Sequence, residues 1–213
     1  STSTLNGTLS ISNSTLAMVF HNLIVTGAIS LDDVSSVEIN LPGTSSDDSY
    51  EVVVNGTNKI KISLDGGDGS DSLILSGASS YLTGEVKAGT SAGDLTAKYS
   101  NSETDQLELI FDSVEAFNSQ IDTDDLSYTF ERDANIAYTR TYHLKDADAL
   151  TSGRMTLESS DYGNFIFNNP STSLSILSNS INTDLVIDSF DNPFDGDLSI
   201  LAGSTFDDVQ INA

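Results

Sequence analysis

Short runs with an apolar residue at every second position recur along the whole chain. Val52 and Val54 form one such pair, Leu73 and Leu75 another, and Phe165 with Phe167 and Val209 with Ile211 two more. Side chains two apart share one face of an extended strand, so each run predicts a short strand with one buried face. Leu107, Leu109 and Phe111 keep the same alternation, which favours strand over helix across Gln106–Phe117. Asp146 to Leu150 reads as a short helical turn. The runs are separated by clusters of Gly, Asp, Asn and Ser, the residues that make turns.

The turns repeat. In Leu64-Asp-Gly-Gly-Asp-Gly-Ser-Asp-Ser-Leu-Ile-Leu75, Gly66 and Asp71 lie five positions apart. The same pair stands 23 residues earlier as Gly43 and Asp48, and 23 residues later as Gly89 and Asp94. Near the end it returns as Gly203 and Asp208, preceded 24 residues earlier by Asn179 and Asp184. Leu174-Ser-Ile-Leu177 recurs as Leu198-Ser-Ile-Leu201. A fixed period in this range marks a solenoid. The asparagine ladder and helical half of a leucine-rich repeat are absent. The expectation is an all-β, right-handed parallel β-helix with coils of 23–24 residues. About nine coils at the strand spacing would make a rod on the order of 45 Å long.

This organisation predicts one solenoid body over 1–213. Residues 1–40 supply first coils or a cap, 41–100 regular coils, 101–170 an irregular or inserted segment, and 171–213 regular coils again. Leu16 to Ile29 is the most apolar early stretch, but His21 and Asn22 interrupt it and no basic flank precedes it, so it does not read as a signal peptide. No run is long and apolar enough for a membrane-spanning helix. The chain reads as an excerpt of a longer exported protein, with flanking domains of the same parent.

Charge narrows the partners. Eight Lys and Arg stand against 32 Asp and Glu, for a net charge of −24. Phosphate binding needs clustered Lys and Arg, so no nucleic-acid partner is expected. Self-repulsion at this charge is relieved by salt or by divalent cations. There is no Cys, hence no disulfide framework or thiol chemistry. The two histidines, His21 and His143, are far apart in sequence and belong to no zinc motif. Carboxylate pairs such as Asp47–Asp48, Asp124–Asp125 and Asp207–Asp208 are abundant, but the basic partners of a polysaccharide-cleaving site are missing from the regular coils. The chain is therefore not read as an enzyme.

Two stretches carry a family resemblance. Leu41-Pro-Gly-Thr-Ser-Ser-Asp-Asp-Ser-Tyr-Glu-Val52, continuing through Gly66-Gly-Asp-Gly-Ser-Asp-Ser-Leu-Ile-Leu-Ser-Gly77, is one. Leu185-Val-Ile-Asp-Ser-Phe-Asp-Asn-Pro-Phe-Asp-Gly-Asp-Leu-Ser-Ile200 is the other. Both resemble the repeats of large exported bacterial surface proteins of the filamentous, repeat-rich adhesin kind. The resemblance implies a β-solenoid, an extracellular or cell-surface location, and an adhesive or structural role with a surface glycan or another surface protein as partner.

The Gly66–Leu75 block also resembles the repeats-in-toxin nonapeptide GGxGxDxUx, which implies a calcium site using Asp65, Gly67, Asp68, Gly69 and Asp71. Only one copy carries the full motif, and the competing reading is a glycine turn capped by Asp71. No other cofactor is expected. A second candidate is an aromatic and cationic patch: Tyr138, Arg140, Tyr142 and His143, within the Tyr128–Arg154 stretch. On an acidic rod such a patch would hold a sugar or an acidic partner, and the alternative function is a glycan-binding or glycan-cleaving β-helix that uses this segment. Its competing reading is a strand whose amphipathic side chains shield an end or insertion.

Overall fold

The computed structural model describes residues 6–12, 15–20, 28–30, 36–41, 43–55, 59–89, 93–102, 105–130, 140–147, 153–159, 163–178, 183–190, 194–202 and 206–212. All of its regular structure is strand. The strands are β1 (Asn6–Ser12), β2 (Thr15–Phe20), β3 (Ala28–Ser30), β4 (Ser36–Leu41), β5 (Ser49–Asn55), β6 (Lys59–Asp65), β7 (Ser72–Ser76), β8 (Ser80–Ala88), β9 (Leu95–Ser100) and β10 (Gln106–Asp112). They continue as β11 (Ala116–Ser119), β12 (Asp122–Phe130), β13 (Arg140–Asp146), β14 (Arg154–Ser159), β15 (Gly163–Asn168), β16 (Ser173–Ser178), β17 (Thr183–Ile187), β18 (Asp197–Ala202) and β19 (Phe206–Ile211). Gln106 to Asp112 is strand, as its alternation predicts. Asp146 closes β13, and the rest of the expected helical turn, 148–150, lies outside the described residues.

The strands form two mixed sheets. The first, sheet A, has the order β19-β17-β13-β14-β15-β11-β7-β5-β1-β2-β3; the second, sheet B, runs β18-β16-β12-β8-β9-β10-β6-β4. A regular coil contributes one strand to each. β4 and β5 are followed 23 residues later by β6 and β7, with Ser36 beside Lys59 and Ser49 beside Ser72. β16 and β18 stack in the same way, with Leu174, Ser175, Ile176 and Leu177 against Leu198, Ser199, Ile200 and Leu201. This is a solenoid-like arrangement of two facing walls, as the period predicts.

Between these regular parts the winding changes. β8 does not stack on β6. It lies two strands further on, and the chain returns through antiparallel β9 to β10, which takes the place beside β6. Sheet A repeats the detour: β13, β14 and β15 run antiparallel, and β15 returns beside β11. The middle is thus two three-stranded meanders. The expectation that Gly89 and Asp94 form the next coil turn is corrected here. They close the β8–β9 hairpin, where the Gly89 amide donates to the Asp94 carbonyl at 2.7 Å. The groups stacked on Gly66 and Asp71 come instead from Ser113 and Glu115.

The walls meet in one apolar core. Val52, Val54, Ile62, Leu73, Leu75, Val86, Leu107 and Leu109 are fully buried. Where the meanders lie, aromatic rings bridge the walls. Phe111 on β10 meets Phe117 on β11 at 5.0 Å, and Phe117 stacks on Phe165 at 5.2 Å. Tyr128 contacts Phe165 at 5.7 Å, and Phe130 packs on Tyr142 at 3.9 Å. Such pairs contribute about 0.5–1.5 kcal/mol each beyond their buried area. No helix among the described residues is long and apolar enough to cross a membrane.

Candidate functional site

The Gly66–Leu75 turn is built around its acidic residues. Asp71 is 1% exposed and its Oδ1 accepts the Asp48 amide at 2.6 Å. Glu115 Oε2 accepts the Asp71 amide at 2.7 Å. Asp48, also 1% exposed, turns its carboxylate back on its own loop, taking the Thr44 amide at 2.8 Å and the Thr44 hydroxyl at 3.0 Å. Each acid caps a backbone N–H that the turn leaves without a ladder partner. The result is a column of carboxylates running coil to coil. Outside it, Asp47 Oδ1 accepts the Ser70 amide at 2.9 Å, and Asp65 Oδ1 accepts the Gly67 amide at 3.0 Å.

Close approach of the coils requires glycine here. A Cβ on Gly66 would stand 1.9 Å from the Ser113 carbonyl oxygen, and one on Gly43 would stand 2.0 Å from the Gly66 carbonyl oxygen. Gly67 and Gly69 have φ of 85° and 136°, which L side chains seldom adopt.

Of the proposed calcium set, Asp71 points inward while Asp65, Asp68, Gly67 and Gly69 lie exposed at the rim. The Asp68 amide donates to the Thr44 carbonyl at 3.1 Å. No group of three His, Cys, Asp or Glu arranged to hold a metal ion occurs among the described residues. Asp71 Oδ2 is buried without a hydrogen bond. Burial pushes the Asp71 pKa up, the Asp48 amide works against that, and the charges of Glu115, Asp48 and Asp47 add to the rise.

In the second candidate, Arg140 and Tyr142 do share one face, and it is the inner one. Both are 2% exposed. His143, on the opposite face, bonds Asp188 Oδ2 through Nδ1 at 2.7 Å, and Lys145 pairs with Glu158 at 2.8 Å. The His143 contact is the leading cause that holds the Asp188 carboxyl below its usual range. Tyr138 lies outside the described residues.

Two features had no simple signal in the sequence. One is a line across the outer face of sheet B, where register places Lys61 beside Glu108, Glu108 beside Lys98, and Lys98 beside Glu85. Four of the five lysines, Lys59, Lys61, Lys87 and Lys98, sit on this face. The other is a matched pair of bulges in β8 and β12. Inner positions there are three apart, Tyr81 then Gly84 and Thr123 then Leu126, and the pairing skips Leu82 and Asp124. Beside the bulges lies a cavity of about 250 Å³.

Comparison of the chain with known protein families, curated proteins and solved structures finds no match. The class that can be stated is therefore architectural: an acidic, two-walled β-solenoid-like protein.

Proposed function

We propose that this chain is a non-enzymatic structural and adhesive segment of an exported bacterial surface protein, wound as a right-handed β-solenoid. Right-handed crossover between parallel strands is the rule for L-amino acids. One observation carries the reading: of the acids gathered at this turn, Asp71 and Glu115 each give a carboxylate oxygen to a backbone amide of the neighbouring coil, and Asp48 gives its carboxylate to the Thr44 amide of its own turn. A chain that invests its acids in stacking serves as a stiff support. The test is digestion of the native chain with a nonspecific protease. A rod of this kind resists as one unit, and stepwise trimming to small peptides under native conditions would overturn the reading.

The calcium reading has its own support in the buried, unbonded Oδ2 of Asp71. Thermal melts in chelator and in millimolar calcium, with magnesium at matched ionic strength, decide it, because an ion bound only by the native state raises the melting temperature. Equal melts leave the turn to its glycines and carboxylates.

A further inference from the structure

We infer that the cavity beside the paired bulges binds an uncharged sugar through vicinal hydroxyls. The site shares no residue with the Gly66–Leu75 turn and does not depend on the supporting role proposed above. Its walls come from three successive stretches of sheet B and the turn that precedes β16. Asp122 and Asp124 supply acceptors, Leu82 an apolar surface, and Ser80 a further hydroxyl.

The geometry is held by hydrogen bonds within the wall and behind it. Asp122 Oδ1 accepts the Asn168 amide group at 2.8 Å, and Asp124 Oδ1 accepts the Ser171 hydroxyl at 2.6 Å. Neither second carboxylate oxygen accepts a bond from any described residue. The rim opposite is fixed by Asn101, whose side chain accepts the Leu82 amide at 2.7 Å and donates to Ser80 O at 3.0 Å and Asp105 Oδ2 at 2.8 Å. The stacked coil stays in step across the bulge through Ser171 N–H to Thr123 O at 2.9 Å and Thr172 N–H to Asp124 O at 2.8 Å. The acceptors are therefore preorganised, which lowers the cost of binding.

Three observations choose the ligand class. A carboxylate oxygen with free lone pairs accepts readily from a hydroxyl, and two such groups on one strand suit adjacent hydroxyls. Leu82 is 54% exposed on the ledge that the bulge creates. A hydrated cation gains nothing from that surface, whereas the C–H face of a pyranose covers it. The net charge of −24 disfavours anionic sugars. The cavity volume suits one sugar unit, with the rest of a chain outside it.

The experiment is an amide NMR titration of the whole chain with neutral methyl pyranosides, and separately with glucuronate and with calcium chloride. The expected result is saturable shifts confined to Ser80–Thr83, Asp122–Asp124 and Ser171, with a Kd of about 1 mM, ordinary for so small a ligand. Asp124→Asn keeps an acceptor for Ser171 and should weaken binding about tenfold, as should Leu82→Ser. Lys59→Ala, on another part of the sheet, should leave it unchanged. Shifts with calcium chloride alone would overturn the inference in favour of a cation. Glucuronate binding as well as the neutral glycosides would overturn it too, as would no shift with any pyranoside. Failure here leaves the protease result untouched, so the two readings are separable.

Discussion

Replacing Gly66 with alanine tests whether close coil stacking, rather than backbone conformation, fixes the glycines of the turn. Gly66 does not have a positive φ, so alanine is conformationally acceptable there. The obstacle is steric. The added Cβ would lie 1.9 Å from Ser113 O and 2.6 Å from Asp71 Oδ2, against an ordinary contact of 3.4–4 Å. The coils must part, and three hydrogen bonds cross at this point. They are Gly66 N–H to Asp112 O at 2.8 Å, Asp48 N–H to Asp71 Oδ1 at 2.6 Å, and Asp71 N–H to Glu115 Oε2 at 2.7 Å. At about 1 kcal/mol net each, their loss costs about 3 kcal/mol, rising to about 5 kcal/mol where a buried amide is left unpaired. Gly153→Ala is the control. Gly153 has φ of 99° and nothing within 4 Å of an added Cβ, so only the left-handed backbone is penalised, by about 1–2 kcal/mol. Urea unfolding followed by circular dichroism gives both values, and hydrogen exchange at the Asp48 amide reports the local opening. Equal costs for the two variants, or an Asp48 amide still protected in Gly66→Ala, would refute the stacking argument.

Further outcomes follow from the electrostatics. The folded pKa of Asp71 is raised, so its contribution is complete below the unfolded value and is lost as pH rises through the folded one. Acidification from neutral should therefore stabilise the wild type more than Asp71→Asn, read as the difference between their melting temperatures across pH. Asp188 has the opposite sign: its depressed pKa gives stability above the unfolded value that is lost as pH falls through the folded one. Asp188→Asn should flatten that acid limb and also weaken the Asn212 contact at 3.1 Å, seen as faster exchange in β19. Lys98→Glu sets three acids in a line with Glu85 and Glu108. Turning two favourable cross-strand pairs unfavourable should cost about 1–2 kcal/mol, recovered in part by salt.

The walls themselves were legible in the chain. The alternation at Val52 and Val54, at Leu73 and Leu75, and at Leu107, Leu109 and Phe111 gave strands with one buried face, and that is how they lie. The 23–24-residue period gave the stacking partners wherever one coil follows the next. What alternation does not carry is direction or partner. β9 and β14 have ordinary strand patterns, and nothing local marks them as antiparallel. Gly89 and Asp94 copied the spacing of a coil turn because a hairpin needs the same kinds of residue. At Arg140 and Tyr142 the shared face was legible, but alternation leaves two faces to choose from. The aromatic neighbour Phe130, brought in by tertiary packing, accounts for Tyr142 lying inside. The bulge in β8 was not legible because its inner positions, Tyr81 and Gly84, are three apart and Gly84 brings no side chain to mark the second.

The two meanders have a consequence for how such a chain can change length. Between the regular coils at either end, sheet B gains β8 and β9 and sheet A gains β13 and β14. Each detour makes one wall taller by two strands, about 10 Å at the strand spacing. A single detour would leave the opposite wall short and the core uncovered on one side for that height. Both together restore equal walls, so β16 and β17 resume level with one another. A wall lengthened by one such detour therefore needs the other to match it. A deletion that removes β8 and β9 should be rescued by deleting β13 and β14, which lie beyond three further strands in the chain.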